Sequence, residues 1–384
     1  MRKILFVIGN RAHYARVSPI LNKIKKFDNL DYHLLLFEGA SLDEYYYSIK
    51  EIVRKEHHKK YSCLYTHISG ENLLSMSKST GLALLELANE FERYKPDIVF
   101  VVADRYEALS AAIAARYMNI VLVHLQGGEL SGSIDDSIRH SITKLANIHL
   151  VSNNFCAARV IQMGENPKNV YITGCPTIDL AKEIANNPKD ISHLFKKYQG
   201  RQKKFDPEKD YVIVSFHPVT TEYDSVSEQF DLLLNAIHEL NITALWLYPN
   251  IDAGNDKISK RIKKYLSENG DSEIYFFKNF YPKDFLQLVR NSNCIIGNSS
   301  VGIREAPAMG VPSVNIGSRQ KSRERASSVF DSSFDKREIQ KKIISQINHG
   351  KYPPSNIYGR GNASYKIAKV LSQCKFLNSQ LLRH

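Results

Sequence analysis

The chain has 384 residues, enough at about 150 residues per domain for two or three domains and a large core. Its 43% hydrophobic and 24% charged residues exclude a disordered chain, and 19 Gly with 13 Pro exclude collagen-like and low-complexity sequences. The formal charge of +12 favours anionic partners, whether nucleic acid, membrane surface or phosphorylated small molecule, and chooses none of them by itself.

The N-terminal stretch MRKILFVIGNRAHYARV turns polar after one short apolar run, so no signal peptide is expected. No run of about 18 apolar residues predicts a membrane span. Strands are predicted at Ile4–Ile8, His33–Phe37, Ile98–Val102, Ile120–Leu125, Ile148–Ser152 and Val170–Thr173. A polar, charged stretch at 188–210 then interrupts the pattern and marks a domain boundary. A second series follows at Tyr211–Phe216, Ala244–Tyr248, Ile274–Phe277, Cys294–Ile296 and Ser313–Ile316. These runs are short, β-branched and continuously apolar, the pattern of parallel strands buried on both faces. Helical spacing fills the gaps, as from Tyr106 to Met118 and from Val301 to Met309. The expected fold is α/β, with two Rossmann-like doubly wound domains, 1–187 and 188–384, facing a cleft. The segment from Asn362 onward reads as a helix able to pack back on either half, the N-terminal one included.

Ligands of such sheets bind beyond the carboxyl ends of the strands, so the residues after each strand carry the functional expectation. Gly9-Asn10-Arg11 follows the first strand. A glycine turn opening a helix can seat an anion, and Arg11 adds a bidentate phosphate donor, although a plain strand-to-helix turn reads the same way. The G-x-G-x-x-G pattern is absent, which disfavours a dinucleotide cofactor. Asp104 and Arg105 follow Val102, a pairing found in sites and equally at helix caps. The stretch after Leu125 is the most informative, because Gln126, paired glycines, Glu129, Asp135, Asp136, Arg139 and His140 crowd into one loop and helix start. A cap at Asp135 or Asp136 leaves Glu129, Arg139 and His140 unexplained, so a site is expected there.

In the second half His217 follows Phe216 and is fixed by Pro218, as a phosphate ligand, an acid–base group or a satisfied core histidine. Asn250 lies just past Tyr248. After Ile296, a glycine turn delivers Ser299 and Ser300 with successive backbone N–H groups, a seat for a diphosphate, and Glu305 can accept from a ribose diol. Arg319 follows the last strand. Together these residues predict an anion site across two domains. No His/Asp/Glu set has metal-ligand spacing, and no G-x-x-x-x-G-K-[ST] loop is present, so no metal is expected and a nucleotide-linked substrate fits better than nucleotide hydrolysis. The lysine-rich runs around 196–204 and 257–264 read as solvated faces and lack interleaved aromatics, so no nucleic acid is expected. Five scattered cysteines without a C-x-x-C pair suit a reducing cytoplasm and offer neither a disulfide framework nor a zinc site.

The segments GNRAHYARVSPIL, KPDIVFVVADRYEAL, HLQGGELSGSIDDSIRHSITKLANIHLV, GCPTIDL, FHPVTTE, LYPNIDAG, IGNSSVGIREAP, NIGSRQ and KYPPSNIYGRGNA run through nearly the whole chain. They resemble the hydrolysing UDP-N-acetylglucosamine 2-epimerases of sialic acid synthesis, including the epimerase half of the bifunctional epimerase/N-acetylmannosamine kinase. The resemblance implies a two-domain GT-B fold, a homodimer or homotetramer, and no cofactor. It also implies a two-step reaction. A base takes the C2 proton as UDP leaves, giving 2-acetamidoglucal, and water then adds to release N-acetylmannosamine. Carried over, Arg11, Arg105, His217, Ser299, Ser300, Glu305 and Arg319 would hold UDP, with Asn250 beside them. Asp104, Asp135, Glu129 and His217 would carry the acid–base chemistry, with His124, Gln126, Arg139 and His140 around the sugar. Three sugar-side positions depart from the family pattern: Gln126 where glutamate is frequent, His13 where an acid is frequent, and Ala103 where histidine is. An amide cannot exchange a proton as a carboxylate does. The same chemistry on a deoxy or diacetamido UDP- or GDP-sugar, or nucleotide-sugar binding with impaired catalysis, therefore stands beside the main expectation.

Overall fold

A computed structural model describes residues 1–42, 49–56, 60–69, 72–132, 134–187, 190–198, 205–206, 209–249 and 254–374. The first half is a parallel seven-stranded sheet. Its strands are β1 (Arg2–Ile8), β2 (Leu30–Leu36), β3 (Tyr61–Cys63), β4 (Ile98–Val102), β5 (Val121–Leu125), β6 (Ile148–Val151) and β7 (Val170–Ile172). The second is a parallel six-stranded sheet of β8 (Val212–Ser215), β9 (Ala244–Leu247), β10 (Ile274–Phe277), β11 (Cys294–Gly297), β12 (Ser313–Ile316) and β13 (Val329–Ser332). The orders β3-β2-β1-β4-β5-β6-β7 and β10-β9-β8-β11-β12-β13 make both halves doubly wound, as expected.

Burial on both faces explains why the strand sequences are apolar without alternation. Ile4, Phe6 and Ile8 of β1 enter one core with Val17, Ile20 and Leu21 of the helix Arg11–Ile24, while Leu5 and Val7 enter another with Leu87 and Phe91 of the helix Leu73–Tyr94. The second sheet repeats this, with Val212 and Val214 on one side and Ile213 on the other. Two strands were not predicted, β3 and β13. Both are sheet edges of three and four residues, and only partly buried, so the apolar signal is weak there.

The C-terminal helix Ala363–Gln373 returns to the first half. Ile367, Ala368 and Leu371 join the core of β1, Asp179 accepts from the Ala363 and Ser364 backbone N–H groups at 2.9 and 2.7 Å, and Arg2 donates to the Leu371 carbonyl at 2.7 Å. The helix Pro176–Asn186 is shared by both halves: Ile178 packs with Ile303, Ala308 and Tyr358, and Ala181 and Ile184 pack with Ile213 and Leu245.

Candidate active site in the cleft

The order in which strands are added reverses at one point in each parallel sheet, between β1 and β4 in the first half and between β8 and β11 in the second. The loops leaving these four strands face one another across a cavity of about 340 Å³, inside the range of small-molecule sites. Arg11, Asp104, Arg105, Gln126 and Asp135 line it from the first half, and His217, Ser299, Ser300, Glu305 and Arg319 from the second. Asn250 lies outside the described residues.

The first wall is built on strained strand ends. Ala103 and Gln126, directly after β4 and β5, hold φ of 60° and 71°, a region that costs a non-glycine residue energy and that clusters at functional sites. The side chain of Asn10 accepts from the His13 backbone N–H at 3.0 Å and starts the helix Arg11–Ile24 at the cavity edge. Arg11 reaches across to the Lys278 carbonyl at 3.4 Å. Arg105 Nε sits 3.0 Å from both oxygens of the buried Glu107, which aims the guanidinium. Asp104 is ion-paired with Arg139, whose second carboxylate partner is Asp136.

Several residues expected at the substrate stand one layer behind this wall. His124 is fully buried and its Nε2–H donates to the Ala103 carbonyl at 2.8 Å. Burial pushes its pKa down to about 3, so it supports the strained turn as a neutral ring. Arg139 is fully buried and donates to the Glu129 carbonyl at 2.6 Å besides pairing with Asp104 and Asp136. His140 does not line the cavity; burial and the Arg139 charge lower its pKa. Asp136 ties the loop together by accepting from Ser131 N at 2.8 Å and Gly132 N at 2.8 Å, which leaves Asp135 as the carboxylate of that pair at the cavity.

Glu129 calls for a correction. It was expected to be catalytic, yet it is 1% exposed and outside the cavity lining. Its carboxylate accepts from Ser152 Oγ at 2.5 Å, pairs with Arg323, and stands 3.5 Å from Arg304 Nη1. Both arginines belong to the second half and do line the cavity. Glu129 therefore joins the halves and holds two cations in place. Against the cost of burial, its carboxylate keeps the Arg323 guanidinium above its ordinary pKa.

The second wall begins at Gly297, where φ is 125°. A Cβ there would lie 2.3 Å from the Ser215 carbonyl oxygen. Gly297→Ala is expected to cost roughly 2–5 kcal/mol, from backbone strain and overpacking together, read from the urea midpoint. The Asn298 side chain clamps His217, accepting from its N–H at 2.8 Å and donating to its carbonyl at 2.8 Å. The Asn298 carbonyl in turn accepts from Arg319 at 3.1 Å and Gln320 at 3.1 Å. Ser300 Oγ accepts from Arg304 Nη2 at 2.9 Å.

Glu305 is 3% exposed and accepts from Thr177 Oγ1 at 2.5 Å. Burial raises its pKa, with Arg16 and Thr177 opposing. A buried chain continues from Thr177 to Cys175 Sγ at 3.0 Å, from there to Gln126 Nε2 at 3.0 Å, and from Gln126 Oε1 to Arg16 Nε at 2.7 Å. Because the folded carboxyl titrates above the unfolded one, the folded state binds the extra proton between the two values, and stability falls as pH rises through that window. Glu305→Gln should match wild type near pH 4 and melt at a higher temperature than wild type once pH rises above the unfolded carboxyl's range of about 4–5, in melts taken at a series of pH values.

Arg16, Thr177, Arg304, Gln320 and Arg323 were not expected at the site, and all line the cavity. Arg304 stands next to Glu305 in a motif already singled out, so it was within reach of the strand-end argument. Arg16 sits inside a helix and Arg323 well past a strand end, and neither position carries a local signal.

The UDP-N-acetylglucosamine 2-epimerase family matches this chain over residues 44–372. A Legionella pneumophila protein named UDP-N,N'-diacetylbacillosamine 2-epimerase (hydrolyzing) is 32% identical over 382 residues, covering 100% of this chain and 98% of the relative. A UDP-N-acetylglucosamine 2-epimerase of Neisseria meningitidis serogroup B is 32% identical, covering 97% of this chain and 95% of the relative. The crystal structure of a Neisseria meningitidis UDP-GlcNAc 2-epimerase bound to UDP-GlcNAc shares the two-domain GT-B fold, with a TM-score of 0.77 at 18% identity over 96% of this chain and 99% of that one. With the family matched along most of its length and relatives alike from end to end, the chain belongs to the UDP-N-acetylglucosamine 2-epimerase family.

Proposed function

We propose that the chain hydrolyses UDP-N-acetylglucosamine to UDP and N-acetylmannosamine through 2-acetamidoglucal. The observation that carries this reading is the opposition of the two walls: carboxylates Asp104 and Asp135 on one side of the cavity, the Ser299–Ser300 turn with His217 and Arg319 on the other. Arg11 and Arg105 extend the cationic surface from the first wall. Preorganised cations and N–H groups stabilise the charge that builds on a leaving diphosphate. In the first step a carboxylate of the Asp104 and Asp135 pair takes the C2 proton, the C1=C2 bond forms, and the C1–O electron pair leaves with UDP. In the second, water gives its hydroxyl to C1 and a proton adds to C2 on the opposite face.

A second sugar is favoured by two observations. The Legionella relative is named for UDP-N,N'-diacetylbacillosamine, and Met76, Ile134 and Ile138 add apolar lining to the first half's side of the cavity, which suits a deoxy carbon. Proton NMR in D₂O separates the readings. With UDP-N-acetylglucosamine the proposal expects free UDP and an N-acetylmannosamine carrying deuterium at C2. Release of UDP only from UDP-N,N'-diacetylbacillosamine assigns the second sugar. Tight UDP binding with no turnover of either sugar, restored in Gln126→Glu, assigns a binding protein instead.

A further inference from the structure

His13 lies in the first turn of the helix Arg11–Ile24, is 2% exposed, and lines the cavity. Its Nδ1 accepts the Gly9 backbone N–H at 3.2 Å, which puts the single proton of a neutral ring on Nε2. Nε2 is buried and has no hydrogen-bond partner among the described residues. Buried N–H groups left unpaired are rare, and at a cavity wall the partner is a water or a ligand atom that displaces it. Arg16, one turn along the same helix, and Arg105, from the loop after β4, lie near enough for their charges to act on the ring. Burial first, and then these two cations, hold its pKa well below the ordinary histidine value, so the ring of the unliganded protein is neutral near pH 7. The ring is equally unable to act as a base, since Nδ1 is occupied and Nε2 carries the proton. What is left is a fixed neutral donor in a cationic corner, at the start of a 14-residue helix whose dipole also favours anions.

We propose that His13 Nε2–H donates a hydrogen bond to the diphosphate oxygen that takes up the C1–O electron pair as the nucleotide leaves. This rests on the reaction proposed above. A carboxylate removes the C2 proton, the C1=C2 bond forms, the C1–O bond breaks, and the pair settles on the bridging oxygen. His13 transfers no proton; it meets the new charge with a donor already in place, as neutral imidazoles do at developing oxyanions. Arg11 and Arg105 hold the diphosphate before and after the step alike. The donor from His13 strengthens as the oxygen becomes anionic and so acts on kcat more than on KM.

Two variants and one spectrum test this. His13→Ala is expected to lower kcat for UDP release roughly 10²-fold with KM within about threefold, and His13→Gln, which can place an amide N–H near Nε2, to recover at least about tenfold of the loss. In wild type, ¹⁵N-edited NMR of the imidazole should show one neutral Nε2–H form from about pH 5.5 to 8.5, its proton moving downfield when UDP is added. Full kcat in His13→Ala, equal loss in both variants, a ring titrating near its ordinary value, or a proton unmoved by UDP would each overturn the assignment. If wild type turns over neither nucleotide sugar, the proposed reaction fails, and the UDP spectrum still decides the donor: a moved Nε2 proton supports it and an unmoved one refutes it.

Discussion

Arg323→Ala is expected to lower the unfolding free energy by about 3–5 kcal/mol, the range for breaking a buried ion pair. Arg323 and Glu129 are 7% and 1% exposed, and they join loops of different halves. Truncation leaves a buried carboxylate with Ser152 Oγ and with Arg304 at 3.5 Å. The penalty is that of an under-compensated charge, so removing the charge as well should return part of it. The double variant Glu129→Gln/Arg323→Ala should therefore cost less than the sum of the single ones by about 1–3 kcal/mol in guanidinium unfolding. Strict additivity would mean that the pair does not hold the halves together.

Asp104→Asn should slow UDP release roughly 10²–10⁴-fold, the usual loss for one general acid or base, with the Kd for UDP within about threefold. Asparagine keeps the shape and still accepts from Arg139, which retains Asp136 and the Glu129 carbonyl as partners. Thermal melts then separate a catalytic loss from a structural one. A variant that melts like wild type and releases UDP at more than about a third of its rate would remove Asp104 from the chemistry and leave Asp135 as the only untested carboxylate of the pair.

How much of this was legible beforehand follows from the range of each signal. The β1 to β12 strands outside the edges read cleanly, because burial on both faces demands continuous apolar runs. The strand-end rule then led to Asp104, Asp135, Ser299, Ser300, Glu305 and Arg319, all of which line the cavity. The rule names loops and cannot say which side chain of a loop faces the ligand. Glu129 and Asp136 sit in the same loop and helix start as Asp135, yet the first turns toward Arg323, 194 residues away, and the second folds back on Ser131 and Gly132. Arg139 is claimed by Asp104, 35 residues earlier. Such pairings are set by tertiary packing, and neighbouring residues carry no trace of them. The departure at Gln126 was visible, but its setting was not. Its amide is held by Arg16 and Cys175, so the buried chain already uses both ends of the side chain.

On the proposed function, one nucleotide diphosphate is gripped from both halves at once. A crystal structure of the complex with UDP tests it most directly. The diphosphate should lie between the Ser299–Ser300 turn and the side chains of Arg11 and Arg105, with the ribose toward Glu305. UDP found against one half alone, or outside the cavity, would contradict the account.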